Sequence, residues 1–161
     1  MTSQQKIDFI GIGMHRSGTT WLSECLRQHP DVLFPKRSKE PNAQLDHLTL
    51  KEDKELDFFT VNFLVDKVSG QRLNNYGKGL AWYLAQFPEA RPGKVRGEFS
   101  PAYMEFDHAA GLIHDAFPDI KLLVMLRNPV EMAYSLYGIR RYADRAEPIS
   151  FEEAIRQDLC V

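Results

Sequence analysis

An apolar strand that runs straight into a loop framed by two glycines limits the folds open to this chain more than any other feature. The stretch is Ile7-Asp8-Phe9-Ile10-Gly11-Ile12-Gly13-Met14-His15-Arg16-Ser17-Gly18-Thr19-Thr20-Trp21-Leu22. Gly13 and Gly18 permit positive φ values and close backbone approach, so successive N–H groups can turn inward as an anion-binding nest. A helix beginning near Thr19 points its unsatisfied N–H groups and the positive end of its dipole at the same place. Ser17, Thr19 and Thr20 add hydroxyls, and Arg16 adds a permanent planar cation suited to bidentate contact with an oxyanion. A tight turn with a good cap uses the same residue types, so the flanks carry the argument. Residues 20–29 place Trp21, Leu22, Cys25 and Leu26 on one stripe and stop at His29-Pro30, which predicts an amphipathic helix after the strand and loop.

From Gly13 to Thr20 the spacing is G-x-x-x-x-G-T-T, the P-loop skeleton with Thr19 where the nucleotide-binding lysine would stand. Further on, Ile120 to Leu126 is a near-continuous apolar run, as expected for a strand buried on both faces of a parallel sheet. Asn128-Pro129-Val130-Glu131 then reads as a helix start, with a cap, a proline in the first turn and an acid three residues after the cap. Between these two units the sequence predicts an ordered loop over 31–43, a helix over 44–68 and a loop over 70–79. A short helix over 80–87, a short strand over 95–97 and a helix over 107–117 follow, with a last helix from about Ser150. Strand, helix and strand alternate, so the expected fold is α/β: a single domain over 1–161, three-layered, with a mainly parallel sheet flanked by helices.

Charge and cysteine content narrow the function classes. A net charge of -2 gives no global pull toward nucleic acid or an anionic membrane, so an anion site must be local. The two cysteines, Cys25 and Cys160, make neither a disulfide framework nor a metal spacing. The N-terminus lacks the apolar run of a signal peptide, and no stretch approaches the length of a membrane span. The expectation is a soluble, cytoplasmic protein.

What ends the second strand discriminates between chemistries. A P-loop NTPase holds Mg²⁺ with the loop Ser/Thr and an Asp at the end of a neighbouring apolar strand. Here that strand ends in Arg127, and the loop lysine is Thr19. Arg16 at one strand end and Arg127 at another suit a second phosphate better than a metal, which argues against a nucleotide kinase.

Three ordered segments resemble the PAPS-dependent sulfotransferase family. They are Arg16-Ser17-Gly18-Thr19-Thr20-Trp21-Leu22, Gly97-Glu98-Phe99-Ser100-Pro101-Ala102-Tyr103, and Leu126-Arg127-Asn128-Pro129-Val130-Glu131-Met132-Ala133-Tyr134-Ser135. Leu80-Ala81-Trp82-Tyr83 through Phe87 adds a weaker match. The resemblance implies the P-loop-like sulfotransferase fold, with PAPS as sulfuryl donor, PAP as product and no metal. Arg16, Ser17, Gly18, Thr19 and Thr20 would then bind the 5′-phosphosulfate, and Arg127 with Ser135 the 3′-phosphate. Trp21 is a candidate to stack on adenine, with plain core packing as its other reading. Many members carry Lys where Arg16 stands; Arg16 keeps the charge but cannot donate a proton.

Lys39-Glu40-Pro41 matches a segment of glycan-modifying members in which the glutamate serves as general base. The resemblance therefore makes Glu40, Lys39 and Arg16 the catalytic candidates and tilts the acceptor toward a carbohydrate or small metabolite with a hydroxyl or amine. A surface ion cluster is the other reading of Glu40, and His47 and His108 are alternative bases. In the family Ser100-Pro101-Ala102-Tyr103 lies against cofactor and acceptor, and Phe99 replaces a lysine of some members. Sulfotransferase domains usually close the cofactor site with a later Gly- and Lys/Arg-containing loop, so the chain is expected to stop short of that region. A non-catalytic nucleotide-binding remnant stays as a third reading, and the oligomeric state is open.

Overall fold

The computed structural model describes residues 6–36, 55–61, 64–65, 72–73, 75–89, 91–143 and 149–157. Its centre is a four-stranded parallel sheet in the order β2-β5-β1-β6, built from β1 (Phe9–Gly13), β2 (Val32–Leu33), β5 (Val95–Phe99) and β6 (Lys121–Met125). β1 lies centrally, with Phe9 opposite Gly97 on one side and Lys121 on the other, and with Gly13 opposite Met125. Helix α1 (Thr19–Arg27) follows the glycine loop, α2 (Leu80–Ala85) precedes β5, α3 (Asp107–Ala116) joins β5 to β6, and α4 (Pro129–Ala143) follows β6. Helix α5 (Phe151–Arg156) comes last, and Ser150 Oγ caps it by accepting the Glu153 N–H at 3.1 Å.

The alternating side chains of the strands divide the core between two faces. On one face Phe9, Phe34 and Phe99 are buried together, with Leu22 and Leu26 of α1 packed against them. On the other, Ile10 joins Phe58, Phe59, Tyr83, Tyr103, Ile113 and Phe117, an aromatic-rich cluster with ring centroids 4.8 to 6.4 Å apart. The fold is thus the expected three-layer α/β arrangement.

Five expectations change. Val32–Leu33 is strand β2 at the sheet edge, where its proline-bounded surroundings suggested loop. The helix over 44–68 is not formed where the chain is described: Phe58–Thr60 is a 3-10 turn, and β3 (Leu64–Val65) pairs antiparallel with β4 (Arg72–Leu73) in the stretch read as loop. Helix α1 buries Thr19 and Ser23 and packs Leu22 and Leu26, while Trp21 and Cys25 face outward, so its inner stripe is rotated from the one predicted. Strand β6 is not buried on both faces: Leu122 is 49% and Val124 50% exposed, because β6 is an edge strand among the described residues.

Candidate functional site

The carboxyl ends of β1 and β6 stand side by side, which brings the glycine loop next to the start of α4. Gly13 has φ 154°, and a Cβ there would lie 2.4 Å from the Met125 carbonyl oxygen, so only glycine lets the loop leave β1 against β6. The Met14 N–H donates to that same carbonyl at 3.3 Å. Gly18 caps α1 at φ 92° with no side-chain cap, leaving the helix N-terminus open to the loop. Arg16 takes φ 68°, a left-handed conformation that costs a non-glycine residue about 1–2 kcal/mol and recurs where a loop is shaped for a ligand.

Arg16 is also the junction of the two halves. Its Nε donates to Ser135 Oγ of α4 at 3.0 Å, and its carbonyl accepts from Arg127 Nη1 at 3.2 Å. Arg127 additionally pairs with Glu131 through Nε at 3.2 Å, one turn along α4. Asn128 Oδ1 caps that helix by accepting the N–H groups of Val130 at 3.0 Å and Glu131 at 3.4 Å. Two arginines from adjacent strand ends therefore meet, the Arg127 guanidinium on the Arg16 backbone and the Arg16 guanidinium on Ser135, and both residues are exposed.

The remaining loop candidates differ from one another. Ser17 is buried, and its hydroxyl donates to the Met14 carbonyl at 2.6 Å, so it closes the loop on itself. Thr19 is buried and Thr20 exposed. Trp21 is 71% exposed at the first turn of α1, which removes the core reading and leaves an indole face open for stacking. Lys39 and Glu40, with His47, lie outside the described residues. His108 stands at the exposed start of α3 with its ring 5.6 Å from Phe106.

On the far side of β1, the segment after β5 is turned inward. Ser100 and Tyr103 are buried rather than presented to a ligand, and Phe99 packs under Gly11, where a Cβ would fall 2.1 Å from its ring. A lysine at that position would bury its charge, so Phe99 is a core residue here. Sequence reasoning missed what these residues surround. Glu98 is fully buried, and Oε1 accepts from Tyr83 and Tyr103 hydroxyls at 2.8 Å each, while Oε2 accepts from Ser100 Oγ at 2.8 Å and Leu56 N–H at 3.0 Å. Burial pushes the Glu98 carboxyl up from its ordinary value against the pull of those four bonds, and burial likewise drives Tyr83 and Tyr103 well above 10. A charged residue inside an otherwise buried strand was the available signal. His15, in the glycine loop, also went unassigned; its Nε2 stands 3.4 Å from Glu105 Oε1, just beyond the same turn.

Among the described residues no group of three or more His, Cys, Asp or Glu side chains could hold a metal ion, and no helix is long and apolar enough to cross a membrane. Residues 8–159 match the profile of the Sulfotransferase family. Mouse heparan sulfate glucosamine 3-O-sulfotransferase 6 is 33% identical over 127 residues, covering 79% of this chain and 28% of that protein. Human heparan sulfate glucosamine 3-O-sulfotransferase 5 is 31% identical over 134 residues, 83% of this chain and 31% of that one. The crystal structure of a sulfotransferase from Alicyclobacillus acidocaldarius superposes with a TM-score of 0.68 at 28% identity, over 94% of this chain and 56% of the other. The chain thus spans under a third of the length of these curated relatives. With its profile matched from the first strand nearly to the end, and its sheet and loop superposing on a solved member, the chain belongs to the sulfotransferase family.

Proposed function

We propose that this chain forms the donor-binding part of an enzyme that moves a sulfuryl group from PAPS to a hydroxyl, or an amine, of a carbohydrate acceptor. The observation that carries this reading is the meeting of Arg16, Arg127 and Ser135 at the ends of β1 and β6, a cationic site split between two elements. A nucleotide with separate 5′ and 3′ anions fits such a split, and the relatives named for heparan sulfate favour a glycan acceptor.

PAPS, when bound, supplies an activated sulfuryl group joined to the 5′-phosphate. Loop N–H groups other than those of Met14 and Ser17, which are bonded to the Met125 and Met14 carbonyls, and the open start of α1 hold the 5′ end by its negative oxygens. Arg16 stabilises charge that grows on the phosphate oxygen as its bond to sulfur breaks, without giving up a proton. Arg127 and Ser135 grip the 3′-phosphate, and Trp21 offers its exposed face to the adenine. Glu40, with Lys39 beside it in sequence, takes the acceptor's proton as the new O–S bond forms.

Calorimetry with adenosine 3′,5′-bisphosphate (PAP) tests the reading. Binding that is lost in Arg127→Ala supports it; no binding by the wild type, or binding indifferent to that substitution, sinks it. Mg²⁺-dependent ATP turnover in place of PAP binding would favour a kinase.

A further inference from the structure

The geometry points to Glu98 as a positioning residue: through Ser100 and Tyr103 it locks the turn after β5 to residues 56–58, fixing the wall beside the phosphate loop that faces the acceptor. Three consecutive backbone N–H groups converge on this one carboxylate. Leu56 N–H donates to Glu98 directly; Asp57 N–H donates to Ser100 Oγ at 3.1 Å and Phe58 N–H to Tyr103 Oη at 2.9 Å, and both hydroxyls in turn donate hydrogen bonds to Glu98. Because those hydroxyls already accept from the backbone, their hydrogens are committed to the carboxylate, and the relay has a fixed direction. Tyr83 is the fourth donor, yet its hydroxyl links Glu98 to no backbone N–H of 56–58.

The relay bears on the site through its neighbours. Ser100 N–H donates to the Gly11 carbonyl at 2.9 Å, so the turn over Pro101–Met104 is stitched to β1 just before the glycine loop. Beyond that turn Glu105 reaches His15 within the loop. This role rests on the donor-binding reading proposed above: with the 3′-phosphate at Arg127 on the β6 side, the sulfuryl end of the donor faces the β5 side, where the relay stands. Glu98 touches no donor atom in this scheme and acts through the turn.

The test compares Glu98→Gln, Ser100→Ala, Tyr103→Phe and Tyr83→Phe with the wild type. Amide exchange is followed by NMR, PAP affinity by calorimetry, and transfer from PAPS to heparan sulfate by kinetics. Ser100→Ala is expected to speed exchange at Asp57 and Tyr103→Phe at Phe58 by at least tenfold, Glu98→Gln at all three amides, and Tyr83→Phe at none. Ser100→Ala and Tyr103→Phe should lower kcat at least fivefold with PAP affinity and the KM for PAPS within twofold, while Tyr83→Phe keeps kcat within twofold despite removing a donor from the same carboxylate. If Glu98→Gln does not fold, the contrast between Tyr83→Phe and the other two decides. A kcat that follows melting temperature across all variants, or exchange at Asp57 and Phe58 that never changes, overturns the positioning role. Wild-type protein that neither binds PAP nor transfers sulfate overturns the function proposed above, and the relay is then judged by amide exchange alone.

Discussion

At the scale of single residues, the site depends on polar groups whose partners are fixed, and two of them give direct predictions. Arg127 meets the Arg16 carbonyl and Glu131 through Nη1 and Nε, so replacing it by Ala removes a cation from the proposed 3′-phosphate site while leaving the caps of α4 in place. A hydrogen bond to a charged group contributes about 1.5–3 kcal/mol, so PAP affinity in calorimetry should fall roughly 10- to 150-fold with little change in melting temperature. Glu98→Gln does the reverse. An amide nitrogen at either carboxylate position faces at least one donor whose proton is already committed, so the variant should lose about 1–3 kcal/mol in urea unfolding at pH 7. Its pH dependence has a definite sign. Burial holds the Glu98 pKa above its unfolded value near 4.5, so the folded chain keeps this proton more tightly, and its contribution is full below 4.5 and fades as pH rises through the folded value. An NMR titration of Glu98 in the folded wild type should therefore show its midpoint above 4.5, and a midpoint at or below that value would remove this pH dependence. Arg16 and Arg127 stood out in sequence because glycine spacing and a strand end mark them, while Ser135 came only from the family resemblance. Glu98 did not stand out, because its meaning lies in Leu56, Tyr83, Ser100 and Tyr103, which are up to 42 positions away in sequence.

At the scale of elements, the strands and helices that frame the site follow from local signals, and those that fail do so for a shared physical reason. Strand β1, the loop, α1, β6 and the capped start of α4 each carry their own periodicity, glycine or cap, and their bounds fall within a few residues of the expectation. The stretch read as one helix over 44–68 instead holds the Phe58–Thr60 turn and β3, whose partner β4 lies in the stretch read as loop. Its Leu and Phe spacing suited a helix, but Phe58 and Phe59 are consecutive and both fully buried, which a one-sided surface helix does not allow. The Glu98 relay then fixes the backbone there in a non-helical path, with Asp57 at φ 43°. Tertiary bonding overrode propensity. The close approach of β1 to its neighbours gives a prediction at this scale. Gly11→Ala drives a Cβ into the Phe99 ring, which is walled in by Phe9 and Phe34, so it cannot swing aside cheaply. Overpacking of this kind costs about 1–3 kcal/mol, and a lowered urea midpoint with an unchanged m-value would report it.

At the scale of the whole molecule, the sheet is well covered around β1 and β5 and open at β6. The apolar run from Ile120 to Leu126 was read as a strand buried on both faces, and its composition is that of one; among the described residues, however, nothing pairs with its outer edge. Composition reports what a strand is suited to, while burial depends on what packs beside it. The proposed donor site lies between β1 and β6, so its occupation should stabilise the folded chain. A ligand that binds only the folded state at a hundred times its Kd adds about 2.7 kcal/mol, which for a domain of this size corresponds to a rise of roughly 5–10 °C in melting temperature. PAP at that excess should produce this rise in the wild type. Adenosine 5′-monophosphate at the same concentration should give a much smaller one, because it leaves Arg127 and Ser135 without a 3′-phosphate to hold. Equal shifts from the two nucleotides would mean that β6 and α4 contribute nothing to donor recognition, and the split site at the ends of β1 and β6 would lose its proposed purpose.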